Sequence, residues 1–263
     1  MEEYYLICED SLEGIFSGIY QAYLLKEPHE QIHIQIGEEE NLRLFAVYRK
    51  CPVNEEWARK VARTIGNRLG SETYLAICRA LASPEPDKGE AVYKTVVTGL
   101  RMSRGKNVMD NLKDPYVHRV FELARFTANE AHFHVEFLRF KELENGILYA
   151  PIGPKNNVLT FIAPHFADRL PLENFVIHDE TRNLFAVHPA KGDWYLVTGD
   201  EKIEGEGTAG QVFHFSQGEK RYSELFEHFF HTITIKERRN TDLQRNMLPI
   251  RYRKYMTEFQ HGT

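Results

Sequence analysis

The sequence predicts an α+β fold, with a helical first half that opens on a short strand-helix-strand unit and a second half in which a long helix packs on a mainly antiparallel sheet. Apolar residues recur mostly at helical spacing as far as Leu143, and from Gly146 onward they alternate with polar residues as they do in strands. The 263 residues are 42% hydrophobic and 27% charged, which is the composition of a packed globular protein.

In the first half, short strands are followed by helices. The predicted elements are strands at Tyr4–Cys8 and Ile32–Ile36 and helices at 12–25, 55–69, 71–81 and 91–102. The first helix is predicted because its apolar residues from Leu12 to Tyr23 step by four, three and four, which places them on one helical face. Two prolines and a glycine in Ser83–Gly89 stop both neighbouring helices. We therefore predict two domains, at residues 1–84 and 85–263.

The second half begins with the longest predicted helix. Asp114 and Pro115 are suited to the N-cap and the first helical position, and the helical pattern extends to Leu143. The later predicted elements are strands around Ile147–Ile152, Phe175–Asp179, Leu184–His188 and Trp194–Thr198 and helices at 159–169 and 223–232. Residues 179–183 have the composition of a hairpin turn, so we expect the last three strands to form an antiparallel meander.

Cysteine usage and the N-terminus predict a cytoplasmic protein. Cys8, Cys51 and Cys78 are odd in number and far apart, which fits neither a disulfide framework nor paired zinc ligands. Acidic residues stand where a signal peptide carries bases, and the opening apolar run is too short to span a membrane. Phosphate-binding glycine loops and a nucleophile elbow are absent from the sequence. We predict no membrane partner, no metal site and no cofactor.

Glu130, His132 and His134 lie together on the long predicted helix and are the candidate catalytic residues. Glu130 and His134 are one helical turn apart, and phenylalanines on the same stripe could raise the pKa of the carboxyl group for acid-base work. The structural alternative is a helix buried on two sides, in which Glu130 caps a segment or pairs with an arginine. We favour that alternative.

Two sets of residues are candidates for binding DNA or phosphate. His165 and Arg169 are one turn apart on a predicted helix beside an apolar face, where they either contact phosphate or pair with Asp168 or the helix end. From Lys236 to Lys254 there are seven bases and two acids, a local charge of +5 in a chain of net charge −5. The candidates in this terminal segment are Arg238, Arg239, Gln244, Arg245, Arg251, Tyr252 and Arg253. A charged segment that docks on the acidic remainder of the same protein, or on a partner, explains the pattern almost equally well.

Short stretches in both halves follow a recognisable order. They are Cys8–Phe16, Tyr20–Tyr23, Asp114-Pro115, Leu123–Arg125, Asn129–His132, Phe137–Phe140, Tyr149–Ile152, Ala163–Arg169, Arg239–Gln244 and Pro249–Tyr252. Together they resemble the bacterial "probable DNA metabolism protein" family, whose shared module, domain of unknown function 4130, is similar to the chain from about Asp87 onward. Arg253 stands where that family usually has a tryptophan. The resemblance implies an accessory to a radical-SAM protein of DNA modification or repair, and similar modules occur fused to uracil-DNA-glycosylase-like domains.

Three functional hypotheses follow. The leading one is a DNA-metabolism accessory protein that binds DNA, a radical-SAM partner or both, through the basic terminal segment. The second is an enzyme that acts on a nucleobase or nucleotide, with Glu130 as acid or base, His132 or His134 assisting, and His165 and Arg169 holding phosphate. The third is a protein-interaction scaffold without affinity for DNA.

Overall fold

The computed structural model describes residues 2–37, 43–199, 214–233 and 248–259, with the backbone alone at 227–233 and 258. Backbone contacts divide the chain into two compact units, Met1–Asn129 and Glu130–Thr263. Both units combine helices with a sheet, which confirms the predicted α+β class.

The described residues of the first unit form a three-stranded parallel sheet and four complete α-helices. Its elements are β1 (Glu3–Cys8), α1 (Leu12–Leu24), β2 (Ile32–Ile36), β3 (Ala46–Lys50), α2 (Glu55–Arg68), α3 (Ser71–Leu81) and α4 (Lys88–Arg101), with short 3-10 turns at His29–Gln31 and Gly105–Asp110. The strand order is β2-β1-β3, so β1 is central. The side chains of Ser11 and Asn54 cap α1 and α2 by accepting hydrogen bonds from Gly14 N and Trp57 N.

Strand β3 is the element of the first unit that the sequence did not predict. It pairs in parallel with β1 at the edge of the sheet. None of its residues is fully buried, and its last two, Arg49 and Lys50, are exposed. An edge strand of this kind lacks the alternation of buried and exposed residues by which strands are recognised.

Gly18 on α1 allows the helix to lie close to β1. A Cβ built on Gly18 would lie 2.3 Å from Cys8 Sγ, which is shorter than the van der Waals contact distance of the two atoms. We expect Gly18→Ala to lower the free energy of unfolding by about 1–3 kcal/mol through overpacking. The loss should be much smaller when Cys8→Ala has removed the sulfur. Urea unfolding of the wild type, both single variants and the double variant measures this coupling, and an unchanged cost without the sulfur would contradict it.

The second unit is built around a five-stranded mixed sheet. Helix α5 (Pro115–Phe137) begins in the first unit and is followed by β4 (Lys141–Glu142), β5 (Leu148–Ile152), α6 (Leu159–Arg169), β6 (Phe175–Asp179), β7 (Leu184–His188), β8 (Tyr195–Thr198), α7 (Gln217–Ile233), α8 (Ile250–Arg253) and a 3-10 turn at Thr257–Phe259. The strand order is β4-β5-β6-β7-β8. Among the described strand pairs of this sheet, β5–β6 alone is parallel, and the predicted antiparallel meander of the last three strands is confirmed.

Helix α5 ends earlier than predicted, at Phe137 instead of Leu143. The chain leaves the helix because Phe140 enters the core of the second unit, where its ring centroid lies 5.3 Å from that of Phe166 and 5.4 Å from that of Phe175. The next residues then pair with β5 as the short strand β4. Helix α7 begins at Gln217, six residues before the predicted start at Ser223.

Candidate functional site

Glu130 is buried in the second unit, with 2% of its surface exposed, and its carboxylate accepts three hydrogen bonds and forms one ion pair. Oε1 accepts from Lys155 N at 3.0 Å and lies 3.1 Å from Arg251 Nη2. Oε2 accepts from Asn156 N at 2.7 Å and from Asn156 Nδ2 at 2.6 Å. Both oxygens are therefore engaged, and this geometry agrees with the structural alternative in which Glu130 pairs with an arginine.

The loop that Glu130 holds follows β5, at the carboxyl ends of the two parallel strands. After β6, Asp179 accepts hydrogen bonds from Thr181 N at 2.9 Å and from Arg182 Nη1 at 3.0 Å. The Arg182 guanidinium also donates to the carbonyl oxygens of Pro154 and Lys155. Two carboxylates thus fix the backbone of this loop. Glu130 contacts it directly, and Asp179 holds it through Arg182.

The described terminal segment, residues 248–259, packs on the second unit. Tyr252 is 4% exposed, and its ring centroid lies 5.0 Å from that of His134 and 5.4 Å from that of Phe133. Its ring is thereby occupied by protein contacts, which leaves no open face for base stacking in this arrangement. Lys254 Nζ lies 3.8 Å from Glu180, and Arg253 donates to the Leu248 carbonyl at 3.3 Å. The segment therefore docks in part on acids of its own chain.

Arg251 differs from its neighbours because its guanidinium is both anchored and open. Its side chain is 39% exposed. Nη2 lies 3.1 Å from Glu130 Oε1 and donates to the Tyr252 hydroxyl at 2.8 Å. Nε and Nη1 make no hydrogen bond to any residue that the structure describes. These remaining N–H groups can be offered to an anion.

The three candidate catalytic residues do not converge. His134 is 3% exposed, and burial lowers its pKa to about 4, with the Glu130 charge raising and the Arg251 charge lowering it. His134 Nε2 has no hydrogen-bond partner within the described parts of the chain. The His132 side chain is instead 72% exposed and pairs with Glu136 at 3.0 Å. Only Glu130 and His134 share an environment.

The structure describes some of the candidate phosphate-binding residues and not others. His165 and Arg169 are exposed on α6, where the ring of His165 meets the edge of Phe166 at 5.2 Å. Arg238, Arg239, Gln244 and Arg245 lie outside the described residues.

Two side chains that hold the loop after β5 were not predicted from the sequence; with Glu130, Arg251 and Asp179 they form what we call the Glu130 cluster. Asn156 follows a strand and Arg182 lies in a hairpin turn, so polar residues just after β5 and β6 were the available indication.

The described part of the chain contains neither a group of metal-binding side chains nor a membrane-spanning helix. Within residues 2–37, 43–199, 214–233 and 248–259, no three histidine, cysteine, aspartate or glutamate side chains are placed to hold a metal ion together. No helix in these ranges combines the length and apolar character needed to cross a membrane.

Comparison with known proteins identifies a family. The family model of a domain of unknown function, DUF4130, matches residues 86–258. No curated protein matches. A solved structure described as a DHH-domain member of the s1p family of ribosomal proteins matches with 10% identity and a TM-score of 0.32, covering 72% of this chain and 74% of the other. The links to a radical-SAM protein and to glycosylase-like domains stay predictions.

Proposed function

This chain belongs to the DUF4130 family, and we propose that it is an accessory protein of DNA metabolism that contacts the DNA backbone through Arg251. The observation that carries the proposal is the Arg251 guanidinium, which is anchored on one side by buried Glu130 and open on the other.

An anchored arginine is suited to binding phosphate. Binding by a long flexible side chain loses rotamer freedom, and a guanidinium that is already fixed loses less of it for each hydrogen bond formed. At Arg251 the anchoring contacts use Nη2, so Nε and Nη1 keep their donors. A hydrogen bond from an arginine N–H to a phosphate oxygen is among the stronger hydrogen bonds in proteins, because both groups are charged.

The surrounding sequence supports a polyanion in preference to a single phosphate. Arg251 belongs to a segment, Lys236–Lys254, with a local charge of +5. Within its described end, Lys254 is offset by Glu180, while Arg253 contacts a carbonyl oxygen and the ring of Phe259. Arg251 is itself paired with Glu130, so Arg253, which makes no ion pair with a described residue, adds the positive charge beside it on α8.

The test is DNA binding as a function of salt. Fluorescence anisotropy with single- and double-stranded oligonucleotides should give affinities that fall steeply with rising salt. Arg251→Gln should weaken binding to all sequences and reduce the log-log salt slope by about 0.9, the value for one lost phosphate contact on duplex DNA. Circular dichroism verifies that the variant is folded.

Two further variants make the result interpretable. The double variant Glu130→Gln with Arg251→Gln leaves no buried carboxylate unpaired, and it should show the same loss of slope. Arg59→Gln is the matched control, since it also removes one arginine that lies 3.0 Å from a carboxylate, here on the solvent-exposed face of α2 in the first unit. Equal slopes in Arg251→Gln and Arg59→Gln, or no DNA binding by the wild type at low salt, would overturn the proposal.

A further inference from the structure

A separate cleft lies in the second unit beside α6 and the connection between β7 and β8. It has a volume of about 350 Å³. Its polar and aromatic lining consists of Asp168, His188, Lys191, Asp193 and Trp194, and prolines and small residues complete it. None of these five residues belongs to the Glu130 cluster.

His188 is the buried polar group of this cleft. It is 3% exposed, and its ring stacks on Phe175 with a centroid distance of 4.6 Å. His188 Nδ1 lies 3.0 Å from the Glu173 carbonyl oxygen. Because a carbonyl oxygen can only accept, Nδ1 carries the hydrogen of this bond. Nε2 has no partner among the described residues, so in the neutral imidazole it is an acceptor available to a ligand.

The charged side chains of the cleft also lack partners among the described residues. Asp168, Lys191 and Asp193 make no side-chain hydrogen bond or ion pair to any residue within the described ranges. Lys191 has a φ of 62°, a left-handed conformation that lysine rarely adopts, and its backbone N donates to the Pro171 carbonyl at 2.7 Å. Strained backbone of this kind is concentrated at ligand-binding and catalytic sites.

The lining restricts the class of ligand. Two carboxylates disfavour an anion and Lys191 disfavours a simple cation, so the complementary ligand is uncharged and has donors and acceptors on one edge. Trp194 packs on the apolar core of the second unit and supplies an aromatic surface in the cleft, which suits a flat ring. Guanine meets these requirements, since its N1–H and N2–H donors form a fork for a carboxylate and its O6 accepts from lysine.

We propose that this cleft binds a guanine base, with Trp194 against the ring, a carboxylate of Asp168 or Asp193 on the N1–H and N2–H donors, and Lys191 on O6. His188 Nε2, as an acceptor in the cleft lining, would take a remaining N–H of the exocyclic amine. The inference goes beyond the backbone contact at Arg251 and does not depend on it, because a base bound in this cleft needs no phosphate.

The experiment is a fluorescence titration with 2′-deoxyguanosine. The chain has two tryptophans, so in a Trp57→Phe background Trp194 is the only reporter. We expect saturable quenching of Trp194, and about tenfold or greater weakening in the double variant Asp168→Asn with Asp193→Asn, as expected for loss of a bidentate base contact. Asp110→Asn, an exposed aspartate of the first unit, is the control and should leave the affinity unchanged.

Two comparison ligands decide the assignment. Deoxyadenosine has an acceptor, N1, where guanine has a donor, so a carboxylate that forks guanine should repel it and binding should be at least tenfold weaker. The proposal would be overturned if deoxyadenosine bound as tightly as deoxyguanosine, or if deoxyguanosine did not quench Trp194. It would also be overturned if L-arginine amide, and not deoxyguanosine, gave the saturable quenching. The nucleoside carries no phosphate, so these results are independent of the DNA titrations of Arg251→Gln.

Discussion

Replacing Glu130 with alanine is expected to lower the free energy of unfolding by about 3–5 kcal/mol. The carboxylate is 2% exposed and is the acceptor for two backbone N–H groups, at Lys155 and Asn156, and for the Asn156 amide. Each buried donor left without an acceptor costs about 1–3 kcal/mol, and Arg251 would lose its counter-charge. Urea unfolding followed by circular dichroism provides the measurement.

The matched control is Glu136→Ala on the same helix. Glu136 also has one side-chain partner, the His132 ring at 3.0 Å, but its own side chain is 45% exposed. Exposed pairs contribute about 0–1 kcal/mol, so this variant should remain close to the wild type. Glu130→Gln should fall between the two, because an amide oxygen keeps part of the acceptor role. Similar losses in Glu130→Ala and Glu136→Ala would show that the buried hydrogen bonds contribute little.

How far the site could be predicted is illustrated by Glu130. Its place on a helix with apolar neighbours favours the structural alternative, in which the helix is buried on two sides and Glu130 caps a segment or pairs with an arginine. The partner, Arg251, is distant in sequence and could not be chosen among seven terminal bases by pattern alone. The backbone donors of Lys155 and Asn156 were also beyond reach, because main-chain groups leave no trace in residue identity.

The fold was more predictable than the site, for a physical reason. Helical spacing and strand alternation record which residues face a core, and they located the helices and the meander of β6, β7 and β8. They failed where tertiary contacts decide the outcome. The end of α5 is set by Phe140 packing on Phe166 and Phe175, and no local residue of helix-breaking type marks it.

His134 is expected to make the protein less stable as the pH falls below about 6.5. Burial lowers its pKa from 6.5 to about 4 in the folded chain. Between these values the unfolded chain binds more protons than the folded one, so the free energy of unfolding rises with pH across this window. The full difference corresponds to about 3 kcal/mol, lost progressively as the pH falls from about 6.5 to 4. The nearby charges of Glu130 and Arg251 act in opposite directions on this pKa.

His134→Phe keeps an aromatic ring against Tyr252 and removes the titrating group, so it should lose less stability than the wild type between pH 7 and pH 4. His132→Phe is the control, since this histidine is 72% exposed on the same helix, and its variant should follow the wild-type pH dependence. Urea unfolding at several pH values measures both. If all three proteins lose stability in parallel, groups other than His134 are responsible for the acid sensitivity. If the pH dependence of His134→Phe alone differs from that of the wild type, the acid sensitivity is due to His134. Its buried imidazole then cannot accept a proton without unfolding its surroundings.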